Sequence, residues 1–248
     1  MSSLFVAMIK YLHKVIREFP ERITGSAATP SADHLFQVRE DCKYKLIEEK
    51  RDQQFHTTVV QLLFLSSRAH QYIQTAVAFL TTRVKKPDEY DWGKLRRVLK
   101  YLNGTNYMKL RLSVNNMSVI EWFVDASDRT RMDCKGHKGA YMTLGKGAVT
   151  SMSTKHKINT KSSTESELVG ADDTLPAALW SKYFIEAQGY TGTQNIMYQD
   201  NQATLRLEVN EKKSRSKRTK HIKARYFFIT DSIAHGDIEV QYRPTEMI

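Results

Sequence analysis

Residues 118 to 127 read SVIEWFVDAS, and the apolar side chains of Val119, Ile120, Trp122, Phe123 and Val124 occupy both parities of an extended chain. A run of that kind cannot leave one face in water, so it reads as a buried strand. It closes on an acid, Asp125. The plain explanation is turn chemistry, because Asp ahead of a small residue commonly begins a turn.

Two more acids stand in comparable places. Glu167 lies in SSTESEL, residues 162 to 168, a cluster of capping residues ahead of a helical stripe made by Leu168, Ala171, Leu175 and Leu179. Asp200 follows the apolar Ile196, Met197 and Tyr198 and so stands at the end of another strand. Within Ser162-x-x-Glu165, Glu165 reads as the reciprocal member of a capping box. Glu167, about 200° further round the helix, is left without a structural assignment. Carboxylates from two strand ends and a first helical turn can converge. Converging carboxylates hold Mg²⁺, a hard cation that takes oxygen ligands, and two such ions clamp the attacking and leaving oxygens of a phosphodiester displacement.

The rest of the chain sets bounds on that chemistry. Its 248 residues and 41% hydrophobic content allow one substantial core or a two-part arrangement. A formal net charge of +11 favours a polyanionic partner, nucleic acid first. Cys42 and Cys134 are too few and too isolated for a disulfide framework or a zinc site. His137 and His156 have no metal-ligand spacing with them and read as incidental. No apolar run reaches the length of a bilayer span, so no membrane partner is expected.

Residues 1 to 19 read as an amphipathic, basic packed helix, and ITGSAATPSADH as a loop. From His56 to Val84 apolar positions follow helical spacing until Pro87. A helix over Asp91 to Leu102 buries Trp92, Leu95, Val98, Leu99 and Leu102 and leaves Lys94, Arg96, Arg97 and Lys100 as a basic outer surface. Asn115-Asn116 suggests a hairpin turn between two extended runs, since Asn tolerates positive φ. Strands on either side of Gly145 to Gly147, a helix from Thr164 to Gln188 bent at Pro176, and a strand from Asn195 to Gln199 come next. A short helix, a helix from Thr219 to Ala234 and a last strand DIEVQYR complete the order β-β-β-α-β-α-α-β. The compositional change near residues 109 to 124 separates a mainly helical segment, 1–112, from an α/β domain, 113–248.

Several blocks in this order carry a family resemblance. VDAS, TKHKINTKSSTESELVGADD, YQDNQA and SKRTKHIKARYFFITDSIAHGDIEVQYRPTEM resemble the ribonuclease H region of copia-type retrotransposon polyproteins. Val59 to Thr105 resembles the segment after the reverse transcriptase palm in the same polyproteins. The resemblance implies a ribonuclease H-like mixed sheet flanked by helices, preceded by a thumb or connection-like helical segment. It further implies two-metal hydrolysis of the RNA strand of an RNA-DNA hybrid, with Mg²⁺, or Mn²⁺ as an alternative. Asp125 would be shared by two ions, and Glu167 and Asp200 would contribute to one each. The palm and fingers of the polyprotein are the implied protein partners. The implied location is intracellular, in the cytoplasm or in virus-like particles, with the nucleus open.

Six cations fall in the nine residues from Lys212 to Lys220. With the helix that follows they suggest phosphate contacts by Arg215, Lys217, Arg218 and Lys220, with His221 in orientation or phosphate contact. A nuclear-localisation signal or a solvated loop has the same composition. No Y-x-D-D occurs, so copying of DNA is not expected. In the family an Ala-Asp follows the YRPTEM-like strand and supplies a fourth acid; here that strand is followed by Ile248. Two functional classes therefore stand side by side: a metal-dependent hybrid nuclease, and an impaired or inactive nucleic-acid-binding remnant.

Overall fold

The computed structural model describes residues 3–38, 46–128, 135–202, 204 and 220–247, and for 220–226 the backbone alone. The chain divides into two compact units, Leu4–Arg111 and Leu112–Ile248, the second also taking in Met1–Ser3.

Among its described residues the first unit holds a short strand, β1 (Leu4–Val6), and the α-helices α1 (Ile9–Glu18), α2 (Glu49–Arg68), α3 (Gln74–Thr81) and α4 (Glu89–Gly104). Residues 4–6 are thus extended where a helix was expected. Leu12 and Val15 of α1 meet Phe55, Val59, Leu62 and Leu65 of α2, with Val77, Leu80, Trp92, Leu95 and Leu99 completing the core. Each such side chain stabilises the unit by about 1.5–3 kcal/mol when removed from water. The helical pattern of His56 to Val84 is realised as two helices, because Ala69 leaves helical geometry at φ −145° and His70 is buried against the Tyr72 hydroxyl. The helix expected from Asp91 starts at Glu89, because Asp88 caps it. Its carboxylate accepts from the Asp91 amide at 2.8 Å, and the Asp91 carboxylate accepts from the Asp88 amide at 3.3 Å.

The expected basic outer surface of α4 needs correction. Lys94 is buried, with its ammonium 4.2 Å from the Phe79 ring centroid and 4.3 Å from that of Tyr90, and it donates to the Gln37 carbonyl at 2.6 Å. Desolvating an ammonium is costly unless it is paired, and two ring faces with a carbonyl supply that pairing. Arg96 pairs with Glu21, and Arg97 donates to Thr29.

The second unit is built on a five-stranded mixed sheet. Its strands are β3 (Val119–Ser127), β4 (His137–Thr143), β6 (Thr150–Lys155), β7 (Gln194–Gln199) and β8 (Glu239–Tyr242), in the order β6-β4-β3-β7-β8. The β4 pairings with β3 and β6 are antiparallel, and the β7 pairings with β3 and β8 are parallel. The central strand is β3, as its two-sided apolar run requires. Ile120, Trp122 and Val124 pack with Leu168, Ala171 and Leu175 of α5 (Ser163–Ala187). Phe123 packs on the opposite parity with Ile196 and Tyr198. A last helix, α6 (Lys220–Ala234), adds Ile229 to the α5 side. Pro176 lies inside α5. The short helix expected after β7 falls largely outside the described residues.

The chain bends at Asn115 and turns at Met117-Ser118, and this closes no hairpin. The strand before it, β2 (Leu110–Val114), pairs antiparallel with β5 (Gly145–Lys146) rather than with β3, in the register Ser113↔Lys146. The Asn116 carbonyl oxygen of the side chain accepts from the Ser118 amide at 2.9 Å, and the Asn115 amide donates to Leu144. An Asx turn of this kind redirects the chain from one sheet to the other.

Candidate metal centre

β3 carries Asp125 two residues before its end, paired in register with Gly139, which leaves the space beside it free of a side chain. Asp200 follows the last residue of β7, the parallel neighbour of β3. Glu167 sits in the first turns of α5, and α5 approaches β3 closely because position 170 is glycine. A Cβ there would meet Ala126 Cβ at 3.1 Å and Val124 Cγ1 at 3.5 Å. Strand pairing and this close helix contact bring the three acids to one place.

One ligand oxygen from each of Asp125, Glu167 and Asp200 lies within 4.8 Å of the other two. Among the described residues this is the one group of three or more His, Cys, Asp and Glu side chains so arranged. Glu167 is only 4% exposed, Asp200 is half-buried and Asp125 opens to solvent. The Ala126 amide donates to Glu167 Oε1 at 3.1 Å, and the Thr245 hydroxyl donates to Asp200 Oδ2 at 2.6 Å. Partial burial and the nearby Asp200 charge hold the Asp125 carboxyl above the ordinary range, with the Ala126 backbone pulling the other way. Like charges held this close, all offering oxygen, match the needs of a hard divalent cation.

Glu165 takes its expected place outside the cluster. Its amide donates to Ser162 Oγ at 3.2 Å, and its carboxylate accepts from the Lys161 amide at 2.8 Å, one residue earlier than a standard capping box. One residue read as incidental is tied to the site instead. His156 is 1% exposed and lies 3.0 Å from the Ser166 hydroxyl, and Ser166 precedes Glu167. His137 meets Ser153 across β4 and β6 at 2.7 Å. Nothing in local sequence signals the His156 contact, because it depends on where the end of β6 falls against α5. Of the expected phosphate-contacting residues, Arg215, Lys217 and Arg218 lie outside the described residues, and the side chains of Lys220 and His221 do as well. Among the described residues no helix is long and apolar enough to cross a membrane.

Numbered within the sheet, the strand order is 3-2-1-4-5, antiparallel through the first three strands and parallel through the last two, with helices packed on the sheet and acids at the ends of the central strands. That is a ribonuclease H-like α/β fold. No family model matches the chain. Its homologues are Ty/copia-type retrotransposon polyproteins. It is 25% identical over 242 residues to the retrovirus-related Pol polyprotein from transposon TNT 1-94 of Nicotiana tabacum, covering 96% of this chain and 18% of that protein. It is 29% identical over 123 residues to a transposon Ty5-1 protein of Saccharomyces cerevisiae, covering 49% of this chain and 40% of that one. The chain therefore spans less than half the length of either relative.

Solved structures with detectable likeness include a foamy viral protease-reverse transcriptase in complex with RNA/DNA hybrid. It shows a TM-score of 0.42 at 12% identity, covering 95% of this chain and 27% of that one. LC11-RNase H1 in complex with RNA/DNA hybrid gives 0.38 at 14% identity, covering 52% of this chain and 87% of that one. The fold assignment rests on the strand order and register above.

Proposed function

We propose that the second unit is a metal-dependent ribonuclease H that cuts the RNA strand of an RNA-DNA hybrid. The observation that carries this reading is the convergence of Asp125, Glu167 and Asp200, three acids from three separate elements, within 4.8 Å. Asp125, Glu167 and Asp200 would hold the metal, with Asp125 as the shared acid. Bound there, Mg²⁺ would supply Lewis-acid activation of a water nucleophile and charge stabilisation at the departing 3′ oxygen. The protein keeps the carboxylates in place beforehand. The Ala126 amide orients Glu167, and the Thr245 hydroxyl orients Asp200. A site preorganised in this way needs no rearrangement of its charges during the reaction.

A net charge of +11 supports a polyanionic substrate. Hybrid duplexes of A-like form are recognised through shape, phosphates and 2′-hydroxyls, so little sequence preference and a steep loss of binding with salt are expected. Similarity to a Pol polyprotein supports further parts of such a polyprotein, the palm and fingers of a reverse transcriptase, as partners.

The test is cutting of an end-labelled RNA-DNA hybrid in Mg²⁺, compared with Asp125→Asn. Cleavage by the parent chain, lost in the variant and in excess chelator, is the expected result. Equal cleavage by both proteins would exclude this site, and salt-sensitive binding without cleavage would make the domain a nucleic-acid-binding module.

A further inference from the structure

We infer that His156 is a positioning residue for the acidic centre, acting through Ser166 to hold Glu167 against the end of β3. This rests on the reading of the three acids as a metal site. It concerns a residue outside the three-acid cluster.

The Ser166 hydroxyl has one hydrogen, and it donates that hydrogen to the Ser127 carbonyl at 3.0 Å. Its contact with His156 Nε2 at 3.0 Å must then be one in which Ser166 oxygen accepts. His156 therefore carries its proton on Nε2 and donates it to Ser166, a tautomer assigned from the hydrogen-bond pattern. Ser166 is fully buried, so this geometry is not exchanged with water.

The clasp joins three elements at one point. Ser127 ends β3, two residues after Asp125; Ser166 belongs to the first turns of α5, one residue before Glu167; His156 follows the last residue of β6. His156 is itself anchored, its amide donating to the Gly136 carbonyl at 3.0 Å. Gly136 permits that approach, since a Cβ there would fall 2.6 Å from His156 Cδ2 and closer still to the Ser127 carbonyl. A side chain at position 136 would push β4, His156 and Ser127 apart. The Ala126 amide that binds Glu167 Oε1 lies next to Ser127, so movement of Ser127 against Ser166 changes the separation of Asp125 and Glu167 directly. Groups that orient metal-binding side chains in this way commonly influence affinity by about 10–100-fold when removed.

The experiment is Mn²⁺ binding to the whole chain, read from the electron paramagnetic resonance signal of free Mn²⁺, so that it does not depend on turnover. His156→Leu removes the donor, His156→Gln keeps an N–H donor at similar reach, and Ser166→Ala deletes the link by one atom and covers the case in which His156→Leu does not fold. Asp125→Asn reports on the metal site itself. The expected result is about tenfold or greater weakening in His156→Leu and in Ser166→Ala, with His156→Gln close to the parent protein. Mn²⁺ affinity in folded His156→Leu or in Ser166→Ala equal to that of the parent chain overturns the inference, as does a His156→Gln variant as weak as His156→Leu. If the parent chain and Asp125→Asn bind Mn²⁺ equally, the metal-site reading itself falls and takes this inference with it.

Discussion

Replacing Asp125 by Asn should make the metal-free protein more stable. The ligand oxygens of Asp125, Glu167 and Asp200 lie within 4.8 Å of one another, so Asp125 faces two like charges. At that distance each pair repels by about 0.9 kcal/mol at the dielectric of water and about 3.5 kcal/mol at an effective dielectric near 20. Asp125 opens to solvent, which places the expected gain near the lower figure for each pair, about 2 kcal/mol for both. At roughly 2–4 °C per kcal/mol this is a rise in Tm of about 4–8 °C. The pH dependence has a definite sign. The folded-state pKa of Asp125 is raised above 3.8, so between 3.8 and the raised value the folded state binds more protons than the unfolded state. Stability falls as pH rises through that window, and the full cost is present at neutral pH. The advantage of the variant should be largest near neutrality and vanish below the ordinary Asp range. Added Mg²⁺ should reverse the order, since a cation at a hundred times its Kd stabilises the parent protein by about 2.7 kcal/mol and the variant by much less. Differential scanning calorimetry in chelator and then in Mg²⁺, at neutral and acid pH, checks each step. A variant that melts at or below the parent protein in chelator at neutral pH would refute the like-charge reasoning.

Gly170→Val should cost about 1–3 kcal/mol in urea unfolding, because its side chain would be driven into Ala126 and Val124. Lys94→Ala should destabilise the first unit by about 2–4 kcal/mol, the loss of a buried charge-assisted bond to Gln37 and of contacts with the Phe79 and Tyr90 rings, and Lys94→Met should lose less because it keeps the apolar stem. Thr245→Val should weaken Mn²⁺ binding about tenfold by calorimetric titration with little change in Tm, and Thr245→Ser should restore it, since the hydroxyl donates to Asp200. Burial lowers the folded-state pKa of His70 below 6.5, so the unfolded state binds the extra proton first and stability of the first unit falls as pH drops below 6.5. His70→Phe should flatten that part of a pH-stability curve measured by circular dichroism.

The acids were legible because each stands at a boundary that local pattern defines. The two-sided apolar run of β3 placed it inside a sheet, and the apolar run before Asp200 marked a second strand; that the two strands are parallel neighbours came from the fold. Lys94 shows how a correct pattern can be misread. Positions 91, 94, 95 and 98 share one side of an α-helix, so the period already put Lys94 among Leu95 and Val98. Its chemistry argued for the outside, and two aromatic rings and a carbonyl overrode that argument. The Asn115-Asn116 turn failed differently. A bend does fall there, but β2 pairs with a strand more than thirty residues later, Gly145–Lys146, and nothing adjacent to the bend encodes that choice.

The same distinction separates the three acids from what holds them. Asp125 and Asp200 can be found one at a time, since each follows from the end of its own strand. Ser166 has no identity as a support until α5 is laid on β3, and His156 has none until β6 ends beside both. Thr245 reaches Asp200 from 45 residues away, after the chain has added β8 to the sheet edge of β7. These contacts are consequences of register, and register in a central sheet is decided by which parity of every strand is buried. A one-residue slip of β3 would exchange Phe123 with Trp122 across the sheet and turn Asp125 to the other face as well. Burial of Trp122, Val124 and Ala126 on the α5 side therefore does more than stabilise the fold: it determines on which face Asp125 stands, and so whether three acids meet at all.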